Sequence, residues 1–432
     1  MADDAQTGGP APLDLSTDAL AALPGDALLE AIQRQSFRYF WQGAHGQTGM
    51  TLDRRSGRGT VADDVVAIGG SGFGIMTVLV GVERGWVTRD AALGRLESML
   101  ELLQRTPRYH GAYPHFVYGD SGATKPFMDR DDGGDLVETS MLMMGLLSAR
   151  AYFDRATARE RRLGGAITAL WEAVEWSWYT QGGREVLYWH WSPRFEWQIN
   201  SEIRGWNECL ITYVLAASAP RFAIEPAVYH HGYAGGRTFR NGAAYYGIEL
   251  PLGPALGGPL YFSHYSFCGL DPRTLHDDYA DYWCQNLRHA QINRAYCIAN
   301  PGNFKGYGTS CWGLTASDDP TGYLAHSPLQ DNGTIAPTAA LSSTPYLPAE
   351  ALQTARHLLR RFGGRIWGAY GFVDAFCEGE DWFADTFLAI DQGPIVIMIE
   401  NHRSGLLWKL FMGVPEIQAG LRRLNFRSRA PP

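Results

Sequence analysis

The 432-residue chain has no apolar run near the roughly 20 residues that a membrane-spanning helix needs, which excludes a helical membrane protein. Charge is scarce as well. Only 19% of the residues are charged, the formal net charge is -8 and no run of Lys and Arg occurs, so nucleic acid is excluded as a partner. The six cysteines, Cys209, Cys268, Cys284, Cys297, Cys311 and Cys377, form no CxxC pair and no zinc spacing with histidine, and they read as small buried hydrophobes. An even count is compatible with disulfides, so the redox compartment stays open. No GxSxG elbow, Walker loop or dinucleotide fingerprint occurs. IGGSGFG, from Ile68, has no strand before it and reads as close backbone packing that also has a place at a cleft wall. The opening MADDAQTGGPAPLD has neither a basic nor an apolar signal region. A periplasmic or secreted home is expected if a signal peptide has been removed, and a cytoplasmic one otherwise.

Aromatic side chains, in contrast, are plentiful, with 14 Trp and 21 Tyr. Together with scattered carboxylates they suit an uncharged, hydroxyl-rich ligand such as a sugar, whose C–H faces pack on rings. Helical periodicity recurs over Asp26 to Trp41, Ala67 to Gly85, Thr88 to Gln104, Asp135 to Phe153, Thr157 to Tyr179, Asn207 to Ala217, Arg273 to Arg294, Thr334 to Ser343, Pro348 to Phe362, Trp382 to Leu388, Gly393 to Asn401 and Val414 to Leu424. Thr88 to Gln104 and Pro348 to Phe362 carry charged faces. MLMMGLLSA, CLITYVLAA and PIVIMIE are apolar on every side and belong inside. Alternation of half-exposed and buried helices predicts an all-α, α/α toroid, with long aromatic- and Gly-rich loops (Tyr109 to Met128, Leu187 to Arg204, Ala219 to Ser263, Asn300 to Asp331) over one rim. Residues 1–24 read as a flexible tail, residues 25–426 as one domain, and the closing RSRAPP as frayed.

Acids gather where apolar helices begin. Asp129, Asp131, Asp132, Asp135 and Glu138 crowd the start of the segment that runs to Arg150. Asp135 and Glu138 also spell a capping box, which leaves Asp131, Asp132 and the two following glycines unexplained. Glu208 follows Asn207, a candidate N-cap, and Asp391 stands just ahead of Pro394, a residue suited to a first helical position. Ordinary capping electrostatics is the alternative for each acid. In a toroid the inner helices run the same way, so these three junctions are expected to converge on one rim. The loop histidines His110, His115, His190, His264 and His326 read as hydrogen-bonded structural residues, and none forms a metal-binding pair.

Cleavage of a glycosidic bond needs one carboxylic acid and one carboxylate, and the chain offers both. SFRYFWQGAH, AIGGSGFGIM, VGVERGWVTR, DDGGDLVET, LYWHWSP, IRGWNECLITYVLAA, HYSFCGLDPR, INRAYCIANP, KGYGTSCWGLTASD, APTAALSSTPY and AIDQGPIVIMIEN, spread nearly end to end, resemble the glucoamylase-like family that contains bacterial endo-β-1,2-glucanases, glycoside hydrolase family 144. The resemblance implies a single (α/α)6 barrel and internal hydrolysis of linear β-1,2-glucan to short sophoro-oligosaccharides by an inverting acid/base route, without metal or organic cofactor. An exo-acting or transglycosylating enzyme on the same linkage and a non-catalytic glucan-binding protein are the rival readings. The resemblance places the family's acids on Asp131, Asp135, Glu138, Glu208 and Asp391: Glu208, Asp391, Asp135 and Glu138 are the catalytic candidates, with Glu208 as general acid and Asp391 favoured over Asp135 as base, in which case Asp131, Asp135 and Glu138 are expected to bind glucosyl hydroxyls. Asp131, Arg204, Trp191, Trp206, Tyr307 and Trp312 are the expected substrate contacts, and a monomer is expected. A helix start lowers a carboxyl pKa, whereas a general acid needs it raised, so crowding in a dry cleft must reverse the sign at Glu208.

Overall fold

The segments that are apolar on every side form the inner wall of a ring, and the amphipathic ones lie outside it. A computed structural model describes residues 8–57 and 64–428. Its helices, among the described residues, are α1 (Thr17–Ala22), α2 (Gly25–Trp41), α3 (Ile68–Glu83), α4 (Arg89–Arg105), α5 (Leu136–Tyr152), α6 (Ala158–Glu172), α7 (Leu210–Ser218), α8 (Tyr282–Ala299), α9 (Pro337–Ser342), α10 (Pro348–Phe362), α11 (Ala389–Arg403), α12 (Leu406–Met412) and α13 (Pro415–Arg423). Helix α3 packs on α5, α5 on α7, α9 on α11, and α11 returns to α3. Short helical turns at Leu260–Ser263 and Ser266–Cys268 fill the place between α7 and α9. They are tied there because Ser266 Oγ accepts from Ile211 N at 3.0 Å and His264 Nε2 lies 3.0 Å from Ser343 Oγ. Around this wall stand α2, α4, α6, α8 and α10, with α13 against α7. The architecture is the all-α, (α/α)6 toroid. No described helix is long and apolar enough to cross a membrane.

Four inner helices are entered through short antiparallel strand pairs. Val65–Ala67, Gly134–Asp135, Thr334–Ile335 and Thr386–Leu388 lead directly into α3, α5, α9 and α11, paired with Phe116–Tyr118, His190–Trp191, Phe376–Cys377 and Arg54–Ser56. Ladder hydrogen bonds therefore fix where each helix begins, and they do so at the rim where the acids lie. Outer helices α4, α6 and α8 begin instead with side-chain caps from Thr88, Thr157 and Asp281.

The structure corrects several local expectations. Trp382 to Leu388 is not helical: Trp382–Phe383 and Thr386–Leu388 are strands, as its aromatic and β-branched residues favour. The stretch Thr157 to Tyr179 breaks after Glu172 and resumes as a 3-10 turn at Trp176–Thr180. Arg273 to Arg294 starts late, at Tyr282, after Leu275–His276 pairs with Arg427–Ser428. That pairing also orders the first two residues of the closing segment, whose last four lie outside the described residues. Within the expected tail, α1 buries Leu20 and Ala21, and Arg356 and Arg360 donate to Leu23 O and Ala21 O. Residues 1–7 lie outside the described residues. All six cysteines are free thiols, five of them buried.

Helices α3 and α5 approach closely because glycines face each other. A Cβ on Gly72 would lie 2.1 Å from Met141 O, and one on Gly145 would lie 2.3 Å from Gly72 O. Both obstacles are backbone and cannot swing away. Gly72→Ala is expected to lower stability by about 3 kcal/mol through overpacking, read as a lower urea midpoint at unchanged m-value.

Candidate active site

The N-terminal rim of the inner wall is lined with carboxyls. Asp135 caps α5: its Oδ1 accepts from Val137 N and Glu138 N, both at 2.9 Å. Its Oδ2 accepts from His115 Nδ1 at 2.9 Å and Trp189 Nε1 at 3.1 Å. Four donors fill a carboxylate's lone-pair directions, and the residue is fully buried. Asp135 thus fixes the start of α5 and orients His115 and Trp189 at the site. The reciprocal half of the capping box is missing. Glu138 Oε2 instead crosses to the uncapped start of α3 and accepts from Gly69 N at 2.7 Å. A Cβ on Gly69 would sit 2.6 Å from that oxygen, so a side chain there would displace the Glu138 carboxylate. IGGSGFG thus packs against α5 and also lines the site.

His115 links the two acids, with Nε2 3.9 Å from Glu138 Oε1. Burial alone lowers its pKa, but the charge of Glu138 and the bond to Asp135 outweigh burial and raise it to about 9. Glu138 is pushed up to about 7 by burial and by Asp135, against the pull of His115. Phe127 stacks on the imidazole, centroids 4.3 Å apart and 6° between planes, and the residue is 48% exposed. His115 was expected to be structural. Its role is visible only in the fold, because Asp135 and Glu138 are 20 and more residues away.

Glu208 sits in the turn ahead of α7, where Asn207 Oδ1 accepts from Cys209 N at 3.0 Å and the helix begins at Leu210. Burial raises its carboxyl to about 7 against the pull of its own backbone hydrogen bond, and Glu138 and Asp135 add repulsion. The sign reversal expected from crowding is present, and burial leads it. Across the rim, Asp391 lies in the first turn of α11, which starts earlier than Pro394. It is buried, and its pKa lies well above the usual carboxylate range because of burial first and then Asp374, Asp318 and Asp53. Stacked Tyr261 and Tyr265 (5.1 Å) lie within electrostatic reach of Glu208, and Tyr265 also of Asp391; both rings and Asp391 line one closely packed crevice. The three junctions converge.

Asp53, Asp318 and Asp374 escaped sequence reasoning. Arg54, the cation of this cluster, bonds Asp318 Oδ1 at 3.1 Å and Asp53 Oδ2 at 3.2 Å. Asp318 lies in the motif ending TASD and gave that signal only; nothing local marks Asp374. Among the described residues no group of three or more His, Cys, Asp or Glu side chains is arranged to hold a metal ion.

The expected substrate contacts divide. Asp131 is buried beside the cluster, its Oδ1 3.1 Å from His190 Nε2, and it adds to the field on His115. Asp132 is held by Ser192 and Arg194 and is structural. Trp191 is half-buried, its backbone paired with Gly134 beside Asp135. Arg204 is turned to Glu202 and the carbonyls of His231 and Gly232, and Tyr307 donates to Asp331 at 2.7 Å. Trp206 and Trp312 are corrections. Both are sealed in the core, Trp206 stacked on Tyr282, because the loops that carry them fold inward between the two helical layers.

The "Putative glucoamylase" family model matches residues 200–415. An endo-β-1,2-glucanase from Chitinophaga pinensis, solved with sophorotriose and glucose, is 49% identical, with 94% of this chain and 99% of that chain covered and a TM-score of 0.91. A solved Bacteroides uniformis protein described as a glucoamylase is 51% identical, with 94% and 98% covered and the same TM-score of 0.91. A curated relative from Parabacteroides distasonis, an exo β-1,2-glucooligosaccharide sophorohydrolase acting at the non-reducing end, is 43% identical over 421 residues, 93% of this chain. The chain spans 58% of that relative's length.

His115, Glu138 and Glu208 all hold their protons more tightly folded than unfolded. The His115 contribution is complete below its unfolded pKa of 6.5 and is lost as pH rises through about 9; for the two glutamates, loss runs from 4.5 through about 7. Stability is therefore expected to fall as pH rises from 5 to 8. Glu208→Gln, which cannot ionise, should match the wild type at pH 4 and exceed it at pH 8 by roughly 1–3 kcal/mol in urea melts.

Proposed function

The chain belongs to glycoside hydrolase family 144, the glucoamylase-like family, and on that premise we infer that it hydrolyses linear β-1,2-glucan within the chain to short sophoro-oligosaccharides. One observation carries the reading. Glu208 keeps a proton up to about pH 7 on the same rim as Asp391, within reach of a shared tyrosine, as acid-assisted departure of a sugar oxygen demands. In this reading Glu208 protonates the leaving oxygen, and water activated at Asp391 attacks the anomeric carbon. Glu138 and Asp131, beside His115, take glucosyl hydroxyls, and Phe127 offers a ring face to a sugar. The whole-length relation to the Chitinophaga pinensis endo-glucanase favours internal cleavage. The name of the Parabacteroides distasonis relative favours the second reading, release of sophorose from a non-reducing end.

Incubation with linear β-1,2-glucan, followed by chromatography, should give a ladder of short oligosaccharides from the earliest times. A single disaccharide from the outset would establish the exo reading. Activity should decline as pH rises through about 7, where Glu208 loses its proton. Glu208→Gln should lower kcat by about 10³-fold or more with the fold intact; normal turnover would remove Glu208 as the acid.

A further inference from the structure

Asp374 has no place in the chemistry so far, yet it is fully buried against Asp391. It enters the rim from the loop between Gly371–Phe372 and Phe376–Cys377, and its backbone N–H donates to Thr386 O at 3.0 Å, just ahead of α11. The carboxyls of Asp374 and Asp391 lie within hydrogen-bonding reach of each other. Each carries a buried oxygen, Oδ1 of Asp374 and Oδ2 of Asp391, that no donor among the described residues reaches. Two carboxylates cannot share such a contact when both are ionised, so one proton lies between them. The second oxygen of Asp374 accepts from Asp318 N at 2.7 Å, which holds the negative charge on Asp374 and the proton on Asp391. The groups facing the pair are Asp53 and Asp318, the cation Arg54 that bonds both, and the phenols of Tyr265 and Tyr323. Thr386 Oγ1 donates to Asp318 Oδ2 at 2.6 Å and completes the support.

We propose that the base of this site is the Asp374–Asp391 pair carrying one shared proton, with Asp374 as the positioning residue that receives that proton when Asp391 takes one from water. The proposal rests on the reading of Asp391 as base. In the step, the water oxygen bonds to the anomeric carbon as the glycosidic C–O bond breaks. Water gives one proton to the free oxygen of Asp391, the shared proton passes from Asp391 to Asp374, and Glu208 gives its proton to the leaving oxygen. The pair ends neutral and Glu208 anionic, so charge is conserved. Solvent then returns a proton to Glu208 and removes one from the pair.

A pair with one proton ionises in two steps. If the singly protonated pair is the base, the acidic limb of kcat follows the lower step. Asp374→Asn abolishes sharing and leaves a lone buried aspartate, so that limb should move to higher pH, with kcat lowered about 10²-fold and KM nearly unchanged. Asp374→Glu should restore part of the rate, which a merely structural role would not predict. A limb that stays in place or moves to lower pH overturns the proposal, since the latter would mean that Asp391 works fully ionised and Asp374 only hinders it. Asp391→Asn, assayed on the same β-1,2-glucan, separates the two ideas: if it stays active, the base reading itself fails. Infrared difference spectra need no activity. The protonated-carboxyl band of the wild type should change frequency in both Asp391→Asn and Asp374→Asn, and a band left unaltered by either substitution would refute the shared proton.

Discussion

Removal of carboxyl groups from water, at one rim of a closed ring of helices, is the constraint on which the rest of this structure depends. A carboxylate in a low-dielectric wall is costly unless it is paired, hydrogen-bonded or protonated, and the rim uses all three solutions. Asp135 is fully hydrogen-bonded, Glu138 is paired with His115, and Asp391 shares a proton with Asp374. Glu208 has only its own backbone N–H and the protein around it, and it stays protonated. Chemistry follows from that unequal provision: Glu138 and Glu208 are both raised to about 7, and Glu208 is the one not tied to a histidine, so its proton is the one available to give.

Placement of these groups to within hydrogen-bond distance requires that the inner helices begin where they do. Strand pairs set the entry points of α3, α5, α9 and α11, and the glycine contact between α3 and α5 draws two of those starts together. Only with that approach can Glu138, on α5, reach Gly69 N on α3. Fold and site are thus joined by a single bond between neighbouring helix starts. An acid that would ordinarily cap its own helix supplies the cap of the next.

Much of this was legible in the chain. The limits Pro348 to Phe362 are those observed for α10, because proline at the start and glycine after the end punctuate a strongly amphipathic run. Acids at the heads of apolar helices pointed to Asp135, Glu138, Glu208 and Asp391, since charge beside buried sequence is a local pattern. What stayed hidden depends on contacts between distant residues. Trp206 and Trp312 share their Gly-rich surroundings with ring-lined loops and differ only in which way the loop folds. His115 has meaning only beside α5, and Asp374 only beside Asp391, both brought there by strand pairing. Trp382 to Leu388 has helical spacing, but Thr386 pairs with Ser56 far upstream, and that partner decides its conformation.

The conflict at Glu208 between helix position and chemical role is settled by magnitudes. A helix N-terminus favours a nearby carboxylate by about 0.3–1 kcal/mol, less than one pKa unit. Burial and the neighbouring acids lift Glu208 from 4.5 to about 7, equivalent to roughly 3 kcal/mol at about 1.4 kcal/mol per unit. Desolvation therefore wins by a wide margin. The helix that follows is also displaced, since Asn207 closes its own turn and α7 begins two residues beyond Glu208. At Asp391 the helix has already begun, so the carboxyl feels the favourable dipole directly, yet burial beside Asp374 still keeps it protonated. Position at a helix start thus does not decide the charge of either acid. The dry wall and the company of other carboxyls do, and a single mechanism accounts for a proton held on Glu208 and a proton shared at Asp391.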